Sequence, residues 1–229
     1  MEIDGLQIEV VRKPVKTMRL SVSPPDGEVR ITAPAFLSET EIRDFVLRKW
    51  EWIMKHRKKM SELPRQTGPE YVSGENHYLF GQRYILRVDY VSSSVYSLKA
   101  RGNTLIMSVS EGTSREGRMK LMRHFYRKML GECLTALMAK WSLKLREPLV
   151  EWEIRQMRTK WGSCTPDRRT IRFSLDLARV TMACVEYVVV HELTHLQVRN
   201  HGNAFEELMT QRLPEWRELK KELNAFPSL

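Results

Sequence analysis

"YVVVHELTHLQVRNHG", residues 187 to 202, decides how the rest of the chain is read. It carries His191, His195 and His201, half of the 6 histidines in a chain of 229 residues. His191 and His195 are four positions apart. On an α-helix these positions share a face, and both imidazoles reach one ion. On a strand the same pair would stand about 13 Å apart. The Tyr-Val-Val-Val run alone favours a strand, since β-branched residues are poor helix formers. The histidine spacing therefore decides for helix. Glu192 is rotated about 100° from His191, which makes it a poor ligand beside its neighbour but lets it reach water on the same ion. HExxH is the pattern of zinc hydrolases for this reason. Chance would produce it in roughly one per cent or fewer of chains of this length and ordinary composition, so core histidines are the weaker reading.

A zinc site in a hydrolase takes three protein ligands and leaves the fourth position for water. His201 is the favoured third ligand, with Glu206 and Glu207 as rivals on a following helix. An unbroken helix would carry His201 away from the metal face. A turn over residues 200–202, with Gly202 as the permissive residue, folds it back. The spacing equals that of the metzincins, but their glycine would fall at Val198, which argues against that class. Three neutral imidazoles leave a zinc ion its full charge, which lowers the pKa of water to about 7. Glu192 then takes the proton and passes it to the leaving amine. The expected chemistry is hydrolysis of a peptide bond without a covalent intermediate.

Outward from this stretch the chain reads as a soluble α+β protein. Its hydrophobic content is 42% and its charged content 29%, and no apolar run approaches the roughly 20 residues of a membrane span. The N-terminus lacks the apolar core of a signal peptide. Cys133, Cys164 and Cys184 are too few and too scattered for a disulfide framework. A cytoplasmic location is the expectation. Net charge is +10, and residues 115 to 160 hold 12 Lys and Arg against 5 Glu. Arg123 and Arg127, one helical turn apart, would present part of that charge together. Such a field attracts nucleic acid or other acidic partners, but a solvated helix face is the favoured reading, because no aromatic-interleaved motif accompanies the charge.

Met18, Leu20 and Val22 alternate with polar residues, "PPDG" at 24 to 27 is turn chemistry, and Val29, Ile31 and Ala33 resume the alternation: a hairpin. Ser38 to Glu41 is a capping box that opens a helix burying Ile42, Phe45, Val46, Trp50 and Ile53. Residues 61 to 76 read as a connector. Residues 77 to 109 return to strands, with a hairpin at 101 to 103. Thr113 to Glu116 reads as a second capping box. It starts a helix to about Leu145 with Met122, Phe125, Met129, Cys133, Leu137 and Trp141 inside. A strand follows from Glu151, then a hairpin of 160–164 and 170–175. Thr181 caps the HExxH helix, and Pro214 divides the last helical segment. No internal repeat is apparent. The reading divides the chain into a β-rich region with one helix over 1–110 and a core over 111–229.

"KWGSC" (160 to 164), "YVVVHELTHL" (187 to 196) and "NHGNAF" (200 to 205), in this order, resemble the YgjP-like metallopeptidases, relatives of the SprT-like zinc peptidases. "YLFGQRYILRV" (78 to 88) and the N-terminal hairpin and helix are also similar to that family. The resemblance implies a minimal zincin: a backing helix, a small sheet and the HExxH helix. It also implies Zn2+ on His191, His195 and His201 with Glu192 catalytic, and a protein or peptide substrate. Gly202 and Glu206 stand where the family often has Ser and Trp. Trp161 to Cys164 form either a strand flanking the cleft, where substrate pairs as an added strand, or plain packing, with Gly162 allowing close approach and Cys164 a small buried residue rather than a neighbour of the metal. Tyr187, one turn before His191, is either a hydrogen-bond partner near the site or core. Besides the zinc peptidase, two readings remain: a metal-dependent hydrolase of nucleotides or other phosphate-bearing substrates, and a DNA-associated zinc domain without peptidase activity. The presence of Glu192 argues against the last, because a structural site needs no base. Oligomeric state is not legible in the sequence.

Overall fold

A computed structural model describes the chain except for residues 24–26, 63–67, 93–95, 147, 149, 158 and 227–229, and for the side chains of 59–62. Two compact units emerge, Met1–Thr67 and Gly68–Leu229. They part at 67/68 rather than at the 110/111 boundary read from the sequence. The reason is burial: Leu79, Leu86, Leu105 and Met107 share one core with Met122 and Leu130 of the long helix that follows. Pro24 to Asp26 of the "PPDG" turn, and part of the 61–76 connector, lie outside the described residues.

The first unit contains β1 (Glu2–Ile3), β2 (Leu6–Lys13), β3 (Arg19–Ser23) and β4 (Glu28–Pro34) in the order β1-β2-β4-β3, with β2 and β4 parallel. Leu20 lies opposite Ile31 and Val22 opposite Val29, the register that the alternation requires. Ser38 caps α1 (Glu39–Arg48) through the expected box: its hydroxyl accepts from the Glu41 N–H, and its own N–H donates 2.8 Å to the Glu41 carboxylate. The single helix read from the sequence is two, α1 and α2 (Trp50–Glu62), with a break at Lys49. Ile42, Val46 and Ile53 still bury on one core.

The second unit begins with β5 (Asn76–Leu79), β6 (Gln82–Tyr90), β7 (Ser97–Arg101) and β8 (Thr104–Val109), ordered β5-β6-β8-β7 with β6 and β8 parallel. This is the plan of the first sheet again. Both sheets open with a hairpin whose two turn residues are left-handed, Asp4 and Gly5 at φ 49° and 75°, and Phe80 and Gly81 at φ 48° and 80°. Both lead to a helix capped by a serine, Ser38 or Ser114. The chain thus contains a repeated ββββα plan, a likeness of topology and not of sequence. The two copies share pleat and turn geometry rather than residues, so self-comparison of the sequence misses them.

α3 (Arg115–Leu145) is the backing helix. Its cap is Ser114, one residue later than the box read from the sequence. Glu116 pairs with Lys120 instead of reaching back. Leu130, Leu134 and Met138 join Met122, Phe125, Cys133 and Trp141 in the core, so the buried face is wider than the stripe that helical periodicity alone predicts. β9 (Glu151–Arg155), β10 (Gly162–Thr165) and β11 (Thr170–Ser174) make a small sheet ordered β10-β11-β9, with β10 at one edge. α4 (Met182–Thr194), α5 (Asn203–Arg212) and α6 (Trp216–Ala225) complete the fold, and α3, α5, α6 and β10 all pack on α4. The architecture is α+β as expected.

Two contacts place α4. Thr181 caps it, accepting from the Cys184 N–H and donating 2.7 Å to Glu222 of α6. The Phe80–Gly81 turn docks against the same point: the Phe80 and Gly81 N–H groups donate to the Ala178 and Arg179 carbonyls at 2.8 and 3.1 Å. A Cβ on Gly81 would lie 2.6 Å from Thr181 Cγ2. This accounts for the glycine in "YLFGQRY": it needs positive φ and has no room for a side chain.

Candidate active site

α4 is a helix despite its valines, because Cys184, Val185, Val188, Val189, Val190 and Leu193 are all buried; tertiary packing overrides weak propensity here. His191 and His195 leave the same face, with ring centroids 4.8 Å apart. The helix ends immediately afterwards. His195 is its C-cap, and the Gln197 and Val198 N–H groups turn back to the Thr194 carbonyl. The chain reverses through 199–202 and enters α5, which brings His201 against the other two. The three Nε2 atoms form a triangle with sides of 3.1, 3.1 and 3.2 Å. Gly202 is the N-cap of α5 at φ −91°, with open space where a Cβ would stand. The turn therefore does not depend on glycine freedom, contrary to the sequence reading, and the serine usual in the family would fit.

Among the described residues these three histidines form the one cluster with metal-ligand spacing. The rival Glu206 is turned away, 2.7 Å from Arg217 on α6. The donor set fits a small dication. The His195 Nδ1–H donates 3.0 Å to the Val198 carbonyl, so its Nε2 presents a lone pair to the triangle. Burial pushes His191 down to about 3, helped by the two other imidazoles and Lys220. Burial also lowers His195, against the opposing bond to Val198. Both rings are neutral at pH 7, as ligation requires. A tetrahedral ion with bonds of about 2.0–2.1 Å places its ligand nitrogens about 3.3–3.4 Å apart, close to the observed triangle.

Glu192 points to the opposite wall. It is 4% exposed, and burial pushes its carboxyl up to about 8, opposed by Lys160 and by the backbone N–H of Cys164 on β10. Gly162 packs directly on it: a Cβ there would stand 2.6 Å from Glu192 Oε1 and 2.9 Å from its Cγ. The close approach read from "KWGSC" is thus an approach to this acid. Cys164 is not poised as a metal thiolate, since burial and Glu192 raise its thiol to about 11. Tyr187 sits edge-on to His191 with centroids 5.8 Å apart, and burial raises its phenol to about 12, so it remains an O–H donor. These residues line a cleft of about 650 Å³, and β10 forms an edge beside it.

A family model described as the YgjP-like metallopeptidase domain matches residues 16–226. The chain belongs to the YgjP-like metallopeptidases. It is accordingly a hydrolase of peptide bonds and a metal enzyme. No protein with a curated description matches it in sequence. Among solved structures it is similar to the metallopeptidase zymogen abylysin of Pyrococcus abyssi, at 19% identity over 39% of this chain and 90% of that one, with a TM-score of 0.37. It is also similar to the zymogen jannalysin of Methanocaldococcus jannaschii, at 22% identity over 43% of this chain and 92% of that one, with a TM-score of 0.32.

In this YgjP-like metallopeptidase one site residue escaped the sequence reading. Phe205, 2% exposed, forms the floor under the histidines, its ring centroid 4.7–4.9 Å from all three imidazoles. Its place in "NHGNAF" was visible, but the turn that folds it beneath the triangle was not. Gly162→Ala gives a direct test of the packing on Glu192. The added methyl must displace a buried carboxylate. Turnover should fall about 10- to 100-fold, the scale of a misplacement near 1 Å. Metal content, measured on the same protein, should stay at the wild-type level because no histidine moves. Wild-type turnover would show that the contact is slack.

Proposed function

We propose that the YgjP-like metallopeptidase uses one Zn2+ held by His191, His195 and His201, with Glu192 as general base, to cleave peptide segments laid along β10. The observation that carries this is the triangle of imidazole nitrogens beside a buried carboxyl in an open cleft. Imidazole donors suit zinc better than the hard dications that prefer oxygen ligands. A zinc ion held there supplies Lewis acidity, lowering the pKa of water to about 7 and polarising a carbonyl oxygen. Glu192 takes the proton from the attacking water and delivers it to the departing amine. Its burial makes it proton-retentive, while a nearby dication favours its ionised form, so the two influences bring its affinity for protons toward neutrality. Gly162 and the Cys164 N–H hold the carboxylate in place. The outer edge of β10 offers main-chain hydrogen bonds to an extended substrate, and Tyr187 offers a phenol donor from the helix side.

The basic stretch of α3 favours this reading over a nucleic-acid domain, because much of it serves the fold. Arg127 donates 2.6 Å to the Ile154 carbonyl, Arg118 donates 2.5 Å to the Thr113 carbonyl, and Lys140 pairs with Glu186 at 2.7 Å. Lys144 lies 4.2 Å over the Trp141 ring. Among the described residues no helix is long and apolar enough to cross a membrane. The three free cysteines support a reducing, cytoplasmic setting.

The test uses purified protein and an unfolded protein substrate such as casein. About one zinc per chain is expected, with cleavage abolished by a chelator and restored by zinc alone. Chelator-resistant cleavage, or turnover of nucleotides with inert peptides, overturns the proposal.

A further inference from the structure

The cleft is lined by three cationic side chains, Lys160, Arg199 and Lys220, and by one acid, Glu192. Glu192 is occupied by the chemistry, and Arg199 pairs with Asp167. Lys160 and Lys220 remain. Both are exposed, and among the described residues neither forms an ion pair. They come from different elements: Lys160 directly precedes β10, and Lys220 belongs to α6. Their fields fall on the two central groups, that of Lys160 on Glu192 and that of Lys220 on His191. The Lys220 Nζ lies 5.6 Å from the Trp216 ring centroid, a cation–π contact that restrains its charge. Two cationic side chains thus line one cleft from separate elements and serve no ion pair among the described residues.

We propose that Lys160 and Lys220 are specificity-determining residues that select peptides carrying a carboxylate within a residue or two of the scissile bond. The inference rests on the peptidase reading above and names its substrate class: acidic, extended segments. A carboxylate there gains attraction from either lysine, whereas a Lys or Arg at the same position meets like charge, and the one acid of the lining, Glu192, is taken up by the chemistry. The carboxylate comes from an Asp or Glu side chain, or from the free C-terminus of a substrate.

Two measurements separate this inference from the peptidase reading. The first digests a peptide mixture of known sequences with zinc-loaded protein and reads the cleavage sites by mass spectrometry. Asp and Glu should be enriched beside the cut, and Lys and Arg depleted. The expected preference for Glu over Gln is about tenfold in kcat/KM, as for one partly screened charge pair at about 6 Å. Lys160→Glu and Lys220→Glu should each lower that preference, and the double variant should turn it toward Lys. Blocking the substrate C-terminus removes the preference only if the terminal carboxylate is the group selected. Cleavage without charge preference, or a preference unmoved in the double variant, overturns the inference and leaves the peptidase reading standing.

The second measurement is equilibrium binding of labelled peptides to zinc-loaded Glu192→Gln. Glu-rich peptide should bind more tightly than a Gln-rich peptide of equal length, and the advantage should shrink as salt rises. Lys160→Gln and Lys220→Gln in that background should remove it. Tight acidic binding without cleavage by the wild-type protein supports the lysine assignment and sinks the peptidase reading. Equal binding of both peptides, or binding of nucleotides with no discrimination among peptides, overturns the lysine assignment.

Discussion

Glu192→Gln should retain zinc and lose turnover by about 10²- to 10⁴-fold, the usual contribution of a positioned acid–base group. The substitution keeps shape and volume. Its carbonyl oxygen can still accept from the Cys164 N–H, and Gly162 still leaves room for the side chain. None of the three ligating nitrogens is touched. The fold should not suffer either. Burial raises the Glu192 carboxyl to about 8, so the ionised form is costly inside the protein. A neutral amide removes that cost, and the unfolding temperature of the metal-free protein at neutral pH should be equal or higher. Metal analysis, a melting curve and a peptide assay on one preparation check all three. Turnover within about tenfold of wild type would mean that another group takes the proton.

His201→Ala should leave the fold intact and abolish the metal site. His201 is the exposed corner of the triangle and comes from the turn between α4 and α5, so its loss empties little of the core. His191 and His195 retain their places on Phe205, but two imidazoles hold an ion far less firmly than three. The affinity lost should exceed the roughly 10- to 100-fold that follows loss of a mere hydrogen-bond partner of a ligand. Dialysed protein should then carry almost no zinc and no activity, with the melting temperature of metal-free wild type. Glu206→Gln should keep its metal, because Glu206 faces Arg217. Zinc retained in His201→Ala and lost in Glu206→Gln would move the third ligand to the rival that the sequence left open.

What the sequence made legible was periodic or local. The four-residue step from His191 to His195 outweighed the strand preference of three valines. Ser38 and Thr181 announced their helices because a hydroxyl cap is a short-range device. Leu20 and Val22 faced Ile31 and Val29 because pleat alternation sets register. The failures are of another kind. Phe205 lies under the imidazoles only after a reversal of the chain, and no period encodes that. Gly162 signalled a tight contact, but its partner Glu192 is thirty positions away and on another element. Arg127 looked like outward charge until β9 supplied a carbonyl for it. Ser114 took the cap from Thr113 because the Thr113 hydroxyl is held by the Ser110 carbonyl at 2.6 Å. In each case the missing information was which distant backbone would arrive.

The duplicated ββββα plan carries a consequence for how the two copies tolerate change. Gly5 and Gly81 occupy the same turn in their respective sheets. A methyl on Gly5 would meet nothing within 4 Å, whereas one on Gly81 would strike Thr181. In the first copy the turn asks only for positive φ, which asparagine can also supply. In the second it is wedged beneath the start of the histidine-bearing helix, and only hydrogen fits. One hairpin is free to drift under mutation while its twin is frozen by the helix it supports.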